Sequence, residues 1–275
     1  MAPELLSFYD SANRPPRVIE EARGLWAYRG LVVELAIRDI KVRYKRSVLG
    51  ILWTMLAPLL NMVVLTLVFS ALLQRQIENY PVYFLTGSLF WGFFSQTTSS
   101  AASQTAESNE MARRIYIPRS VFVAAAAAVG LVNIGLSLVP LLLLFVGTGF
   151  PLHATWVFVP VSLMLALLFT SGVALFVFTL ASRFSDVRET YVVVLQLWFF
   201  LTPIIYHPSI VPARYRLALW ANPMYYLIQT FRRPIYDGTF PGAAVLGGAV
   251  ALSVAVFAAG WVYFARHANR FAFES

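Results

Sequence analysis

Arg43, Lys45 and Arg46 close a charged stretch, and no charge follows until Arg75. Three cations at the lip of an apolar run hold anionic oxygens. Arginine grips phosphate oxygens with two parallel N–H bonds, and lysine adds a point charge. At a membrane boundary the same trio also binds anionic headgroups and enforces orientation. The residues leave both uses open. Other reactive chemistry is thinly supplied. There is no cysteine, which excludes disulfides, thiolate nucleophiles and thiolate metal sites. His153, His207 and His267 are far apart in sequence, so neither a metal site nor a catalytic residue is expected. No Asp or Glu interrupts the long apolar runs, where ion-coupled carriers hold one. The two lysines, Lys41 and Lys45, do not follow glycine, and no GxxxxGK[ST] phosphate loop is present.

A second candidate chemistry is aromatic. Trp53, Phe69, Trp91, Phe94, Trp198, Phe199 and Tyr206 lie within or at the ends of apolar runs. Sugar rings stack their C–H faces on such side chains, so these seven could border a route for an uncharged glycan. Aromatics also collect at bilayer interfaces and in helix packing, and that alternative stands beside the first. The stretch SQTTSSAASQ, Ser95–Gln104, suits a polar pore wall or close packing of small residues.

The elements that must position these residues are membrane helices. Hydrophobic residues make up 59% of the 275 and charged residues 12%, about half the charge of a soluble domain. The net charge of +8 sits beside the apolar runs, as orientation signals do, which argues against a nucleic-acid partner. The charge-free runs are Ser47–Gln74, Asn79–Ala106, Ser120–Ser182, Thr190–Ala213 and Gly238–Ala265. Roughly 20 apolar residues cross a bilayer, so the third run holds two spans, divided near Gly147, Gly149 and Pro151. The fold class expected is all-α, with six transmembrane helices at about 48–73, 80–105, 120–146, 155–181, 190–206 and 241–265. A cytoplasmic arm and amphipathic interface helix occupy 1–46, and the transmembrane domain 47–275.

Within the interface helix, Val33, Ile37, Ile40 and Tyr44 share one face, with Glu34, Arg38, Lys41 and Lys45 opposite. Such a helix either lies on lipid or docks on a partner. Between the fifth and sixth spans, 207–237 carries two apolar stretches split by Asn222-Pro223. They predict two short re-entrant helices, roughly Pro212–Trp220 and Pro223–Arg232. Six spans place both termini on one side. Sixteen of the 21 basic residues then fall on that side, which makes it cytoplasmic. Arg214, Arg216, Arg232 and Arg233 are the discordant group.

Four segments carry a family resemblance. RDIKVRYKRSVLGILWTMLAPLL, IYIPRSV, SDVRETYVVVLQLWFFLTPIIY and NPMYYLIQTFR occur in order from Arg38 to Arg233. The chain resembles the membrane (permease) subunits of bacterial polysaccharide-exporting ABC transporters, which export O-antigen, capsule and teichoic acid precursors. The resemblance implies a second copy of this chain and a separate ABC ATPase subunit that carries ATP and Mg, with no cofactor in this chain. It implies ATPase contacts at Arg38 and Lys41 and at Ile115, Tyr116, Ile117 and Pro118. It also implies a lipid-linked glycan in the cytoplasmic (inner) membrane, among membrane lipids. The diphosphate of that substrate would meet Arg43, Lys45 and Arg46. An exporter of small amphipathic drugs, a secondary transporter and a membrane assembly subunit are the alternatives.

Overall fold

The computed structural model describes residues 16–73, 77–105, 108, 111 and 117–267. Among them secondary structure is helical throughout, with no strand. Pro16 is extended (φ −49°, ψ 135°) and starts α1, Arg17–Ala27. A break at Tyr28 (φ −95°, ψ 19°) separates α1 from α2, Arg29–Tyr44. The single interface helix expected is thus a helix pair.

The packed face of α2 also differs from the expected one. Val33 and Ile37 are exposed, whereas Leu35 and Ala36 are buried. Leu35 joins Val121, Phe122 and Ala125 of the bundle helix that begins at Ser120, with Leu31 and Val32 packed beside it. The helix has apolar residues on two faces. Its neighbour covers the face that periodicity ranked second. Arg38 meets Asp39 at 2.8 Å, and the other Asp39 oxygen accepts from Gln104 Nε2 at 2.7 Å.

A tight turn follows α2, with Arg46 (φ 67°) and Gly50 (φ 52°) left-handed. The bundle helices are α3 (Trp53–Leu73), α4 (Tyr80–Ser103), α5 (Ser120–Thr148), α6 (Val159–Arg183), α7 (Val187–Leu201) and α10 (Ala243–His267). Between the last two lie α8 (Arg216–Trp220) and α9 (Pro223–Arg232). Pro223 opens α9, and the Asn222 side chain caps it by accepting from Met224 N at 3.0 Å.

Among the described residues, four helices are long and apolar enough to cross a membrane: Gly50–Phe69, Ser120–Thr148, Ala154–Arg183 and Ala243–His267. Of the six spans expected, those at α4 and α7 lack that character. Serines and threonines dilute α4. Helix α7 has 15 residues and stops before Pro203, which disfavours helical backbone at Thr202.

Helix α4 is the hub, against α3, α5, α6 and α7. Its Tyr83, Phe84, Phe90 and Phe94 are buried in the larger core. Helices α6 and α10 meet backbone to backbone at Gly172 and Gly260. Arg232, fully buried, explains one of the discordant arginines. Its Nη1 donates to Tyr83 Oη and Pro203 O, both at 2.8 Å, and its Nη2 to Ile204 O at 3.3 Å. Its guanidinium lies 3.8 Å over the Tyr83 ring. The arginine therefore satisfies carbonyls released where α7 ends, as irregular backbone in an apolar setting demands.

Candidate functional site

The site is built on one face of α4. From Ser88 to Gln104, the residues with solvent access are Ser88, Gly92, Ser95, Gln96, Ser99, Ser100, Ser103 and Gln104. They recur at helical spacing, and every large side chain of that stretch points into the core. A hydrocarbon-facing surface would be apolar, so this one suits water, a polar polymer or another protein surface. Ser88 Oγ donates to Leu85 O at 3.1 Å, and Ser103 Oγ to Ser99 O at 3.0 Å. Each hydroxyl spends its hydrogen on its own helix and leaves lone pairs toward the opening.

Three clefts border this face. The first, of about 500 Å³, lies between α3, α4 and α5, with Arg43 and Tyr44 above it and Trp53 and Thr54 at its side. Gln96, Asn133 and Ser137 make its inner wall. Asn133 Nδ2 donates to Gln96 Oε1 at 2.8 Å, and Ser137 Oγ lies 2.8 Å from Asn133 O and 3.1 Å from Thr54 O. The second cleft, of about 770 Å³, shares Arg43 and Gln96 and adds Arg38, Asp39 and Ser99. One carboxylate faces two guanidiniums there, and its two oxygens engage Arg38 and Gln104. The third, of about 420 Å³, lies between α4 and α7 beside Arg188, Glu189 and Tyr191. Together they offer neutral hydrogen-bonding groups along a helix, with cations at one end.

The residues singled out in the sequence divide accordingly. Trp53 and Arg43 line the first cleft; Lys45 and Arg46 are exposed on the turn outside it. Trp91, Phe94, Trp198 and Phe199 come together as a packed cluster. Ring centroids are 5.3 Å apart for Phe94–Trp198, 5.7 Å for Trp91–Phe199 and 6.0 Å for Trp91–Trp198. Trp198 Nε1 donates to Asn222 Oδ1 at 2.9 Å. This cluster joins α4 to α7, and none of its members lines the first cleft. Phe69 rests against the core, and the Tyr206 carbonyl accepts from Tyr83 Oη at 2.9 Å.

Arg38 lines the second cleft, and Lys41 is exposed. Ile115 and Tyr116 lie outside the described residues. Ile117 and Pro118 are buried within this chain. Ile117 joins the Leu35 cluster, and Pro118 supports α1 at Gly24. Within this chain those two positions pack against α1 and the Leu35 cluster. Asn133 and Ser137 were not anticipated. Their signal was an Asn followed four residues later by Ser in the otherwise apolar α5. His153 and His207 both come near Asp237, but the described residues hold no group of three or more potential metal ligands.

Among the described residues, helices without strands, four of them apolar and of membrane length, with a polar cleft between them, define a multi-helix membrane protein. The family model for ABC-2 type transporter matches residues 31–236, and the chain belongs to that family. It is 32% identical over 259 residues to the O-antigen export system permease protein RfbA of Myxococcus xanthus, covering 93% of this chain and 99% of that one. A protein of the same name from Klebsiella pneumoniae is 28% identical over 211 residues, covering 76% and 81%. The polysialic acid transport protein KpsM of Escherichia coli is 21% identical over 221 residues, covering 79% and 86%.

Proposed function

We propose that this chain is the membrane subunit of an ATP-driven exporter that moves a lipid-linked polysaccharide, or a related cell-envelope glycolipid, out of the cytoplasm. The observation that carries the reading is the hydroxyl- and amide-lined face of α4 opening on a cleft with Arg43 at its mouth. Such a surface suits a hydroxyl-rich chain, and the arginine suits the diphosphate that joins it to lipid. Trp53 offers a ring at the same entrance. Lys45 and Arg46 serve headgroups beside it. ATP and Mg belong to a separate ATPase, because this chain has no phosphate loop. Lys41 and the segment at Ile115 and Tyr116 face that subunit.

In this reading α4 and α7 complete six spans, with both termini cytoplasmic and 1–46 forming the cytoplasmic portion. The polar face excludes α4 from lipid, and Arg232 ties the end of short α7. Helices α8 and α9 form the outer re-entrant pair. Exposed apolar residues on α3 (Leu67, Val68) and α7 (Val193, Leu197) flank the open side. A second copy in the inner membrane closes it.

The test is reconstitution with the cognate ATPase. Lipid-linked glycan should stimulate ATP hydrolysis, and Arg43→Gln should lower that stimulation while basal hydrolysis persists and Lys45→Gln keeps both. Stimulation by amphipathic drugs and none by the glycan would replace this function with drug export.

A further inference from the structure

Helix α1 turns Glu21 toward the protein and leaves Ala22 and Trp26 exposed, with Leu25 packed against the core cluster of Leu35 and Val121. Glu21 accepts from Ser120 Oγ at 3.1 Å, and Gly24 rests on Pro118. On the other side, Val18, Ala22, Leu25 and Trp26 border an open groove against Phe257 and Trp261 of α10. Its two lobes are about 530 and 570 Å³ and share Ala22, Trp26 and Trp261. Trp26 is 72% exposed, a large apolar surface left open by the described residues. The groove walls are held in place. Trp261 Nε1 donates to Val18 O at 3.2 Å, and Arg17 Nη1 to Arg266 O at 3.4 Å.

Two observations choose the occupant. The groove continues the outward apolar surface of α10, where Val250 and Val254 are exposed on a membrane-length helix. Its charged rim is cationic. Arg23 borders one lobe, and Arg29 borders the other with its guanidinium 5.2 Å from the Trp26 ring centroid. Tryptophans beside arginines at the end of a span mark the headgroup level of a bilayer. An apolar channel rising from the lipid-facing wall to two guanidiniums matches an acyl chain bearing a phosphate.

We infer that the α1–α10 groove is a binding site for an anionic phospholipid, one acyl chain lying against Trp26, Phe257 and Trp261 and its phosphate held by Arg23 and Arg29. The site lies apart from the α4 clefts and shares no residue with them.

Native mass spectrometry of the full-length chain in detergent, with equimolar phosphatidylglycerol and phosphatidylcholine, tests it. Wild type should retain phosphatidylglycerol preferentially. Arg23→Gln with Arg29→Gln should reduce that preference by roughly tenfold or more, the scale expected for two interfacial cations. Arg23→Lys with Arg29→Lys should keep it. Ala22→Trp, which fills the groove and leaves both charges, should reduce retention of both lipids. Equal retention of the two lipids by wild type, or undiminished binding in Ala22→Trp, overturns the proposal and assigns the groove to a protein partner.

Discussion

Replacing Gly172 with alanine tests whether the α6–α10 crossing depends on direct backbone contact. A Cβ at Gly172 would lie 2.5 Å from Val256 O and 2.6 Å from both the N and Cα of Phe257. Carbon contacts settle at about 3.5–4.0 Å, so the helices must separate by about 1 Å at that point. These neighbours are backbone atoms, so no side chain can swing aside. Overpacking of this kind costs about 1–3 kcal/mol, and alanine's better helix propensity returns at most about 1 kcal/mol. With the full return the net loss is up to about 2 kcal/mol, and it is about 1–3 kcal/mol relative to an alanine that gains the propensity alone. Gly135→Ala is the control, because nothing lies within 4 Å of that Cβ position on α5. It should be neutral or stabilising. Gly260→Ala approaches the same crossing from α10, with the Gly172 carbonyl carbon at 2.8 Å. Once the helices have separated for one alanine the second costs less, so the double variant should lose less than the sum. Reversible SDS titration in mixed micelles, followed by near-UV circular dichroism, measures these differences. The first two clefts contain no residue of α6 or α10, so the fraction that remains folded should keep its substrate response. A Gly172→Ala protein as stable as Gly135→Ala would refute close backbone packing at this crossing.

Three further outcomes are expected. Arg232→Met leaves the Tyr83 hydroxyl and the Pro203 and Ile204 carbonyls without their donor, and should cost about 1–3 kcal/mol. Arg233→Met, at a half-buried position, should cost little in the same SDS titration; equal losses would contradict the tie. Burial raises the Glu21 carboxyl above its ordinary value of 4.5, partly opposed by the Ser120 hydrogen bond. The folded state therefore holds that proton more tightly, so stability declines as pH rises from about 4.5 through the raised pKa. Glu21→Gln should remove this slope between pH 4 and 8, and an unchanged slope would assign it to other groups. For topology, Ser209→Cys and Ser185→Cys are both exposed positions in a cysteine-free chain. An impermeant thiol reagent should label Ser209→Cys from outside intact cells and spare Ser185→Cys, and the opposite pattern would invert the proposed orientation.

Much of this protein is legible one segment at a time. Transfer of a residue into hydrocarbon depends on its own polarity, so charge-free runs mark the four membrane-length apolar helices before any packing is known. Local chemistry likewise placed the Asn222-Pro223 helix start, because a capping side chain and a proline act within one turn. The serine-rich segment at Ser95–Gln104 stood out for the same reason as a small and polar stretch, suited to a polar wall or to close packing.

What required the tertiary structure was the choice of face. Periodicity put Val33 and Ile37 on the apolar side of α2, yet α5 covers Leu35, because packing selects among faces that hydrophobicity ranks nearly equally. Trp91, Phe94, Trp198 and Phe199 are alike in type, so composition could not distinguish a packed cluster between α4 and α7 from a cleft lining. Asn133 and Gln96 are 37 positions apart and become a hydrogen-bonded wall only when α4 and α5 lie side by side. Arg232 reads as a discordant outer charge until the chain folds back and brings it to the carbonyls at the end of α7. Apolar length is a property of one segment, whereas a cleft or a buried arginine is a property of segments brought together, which is why only the structure decided them.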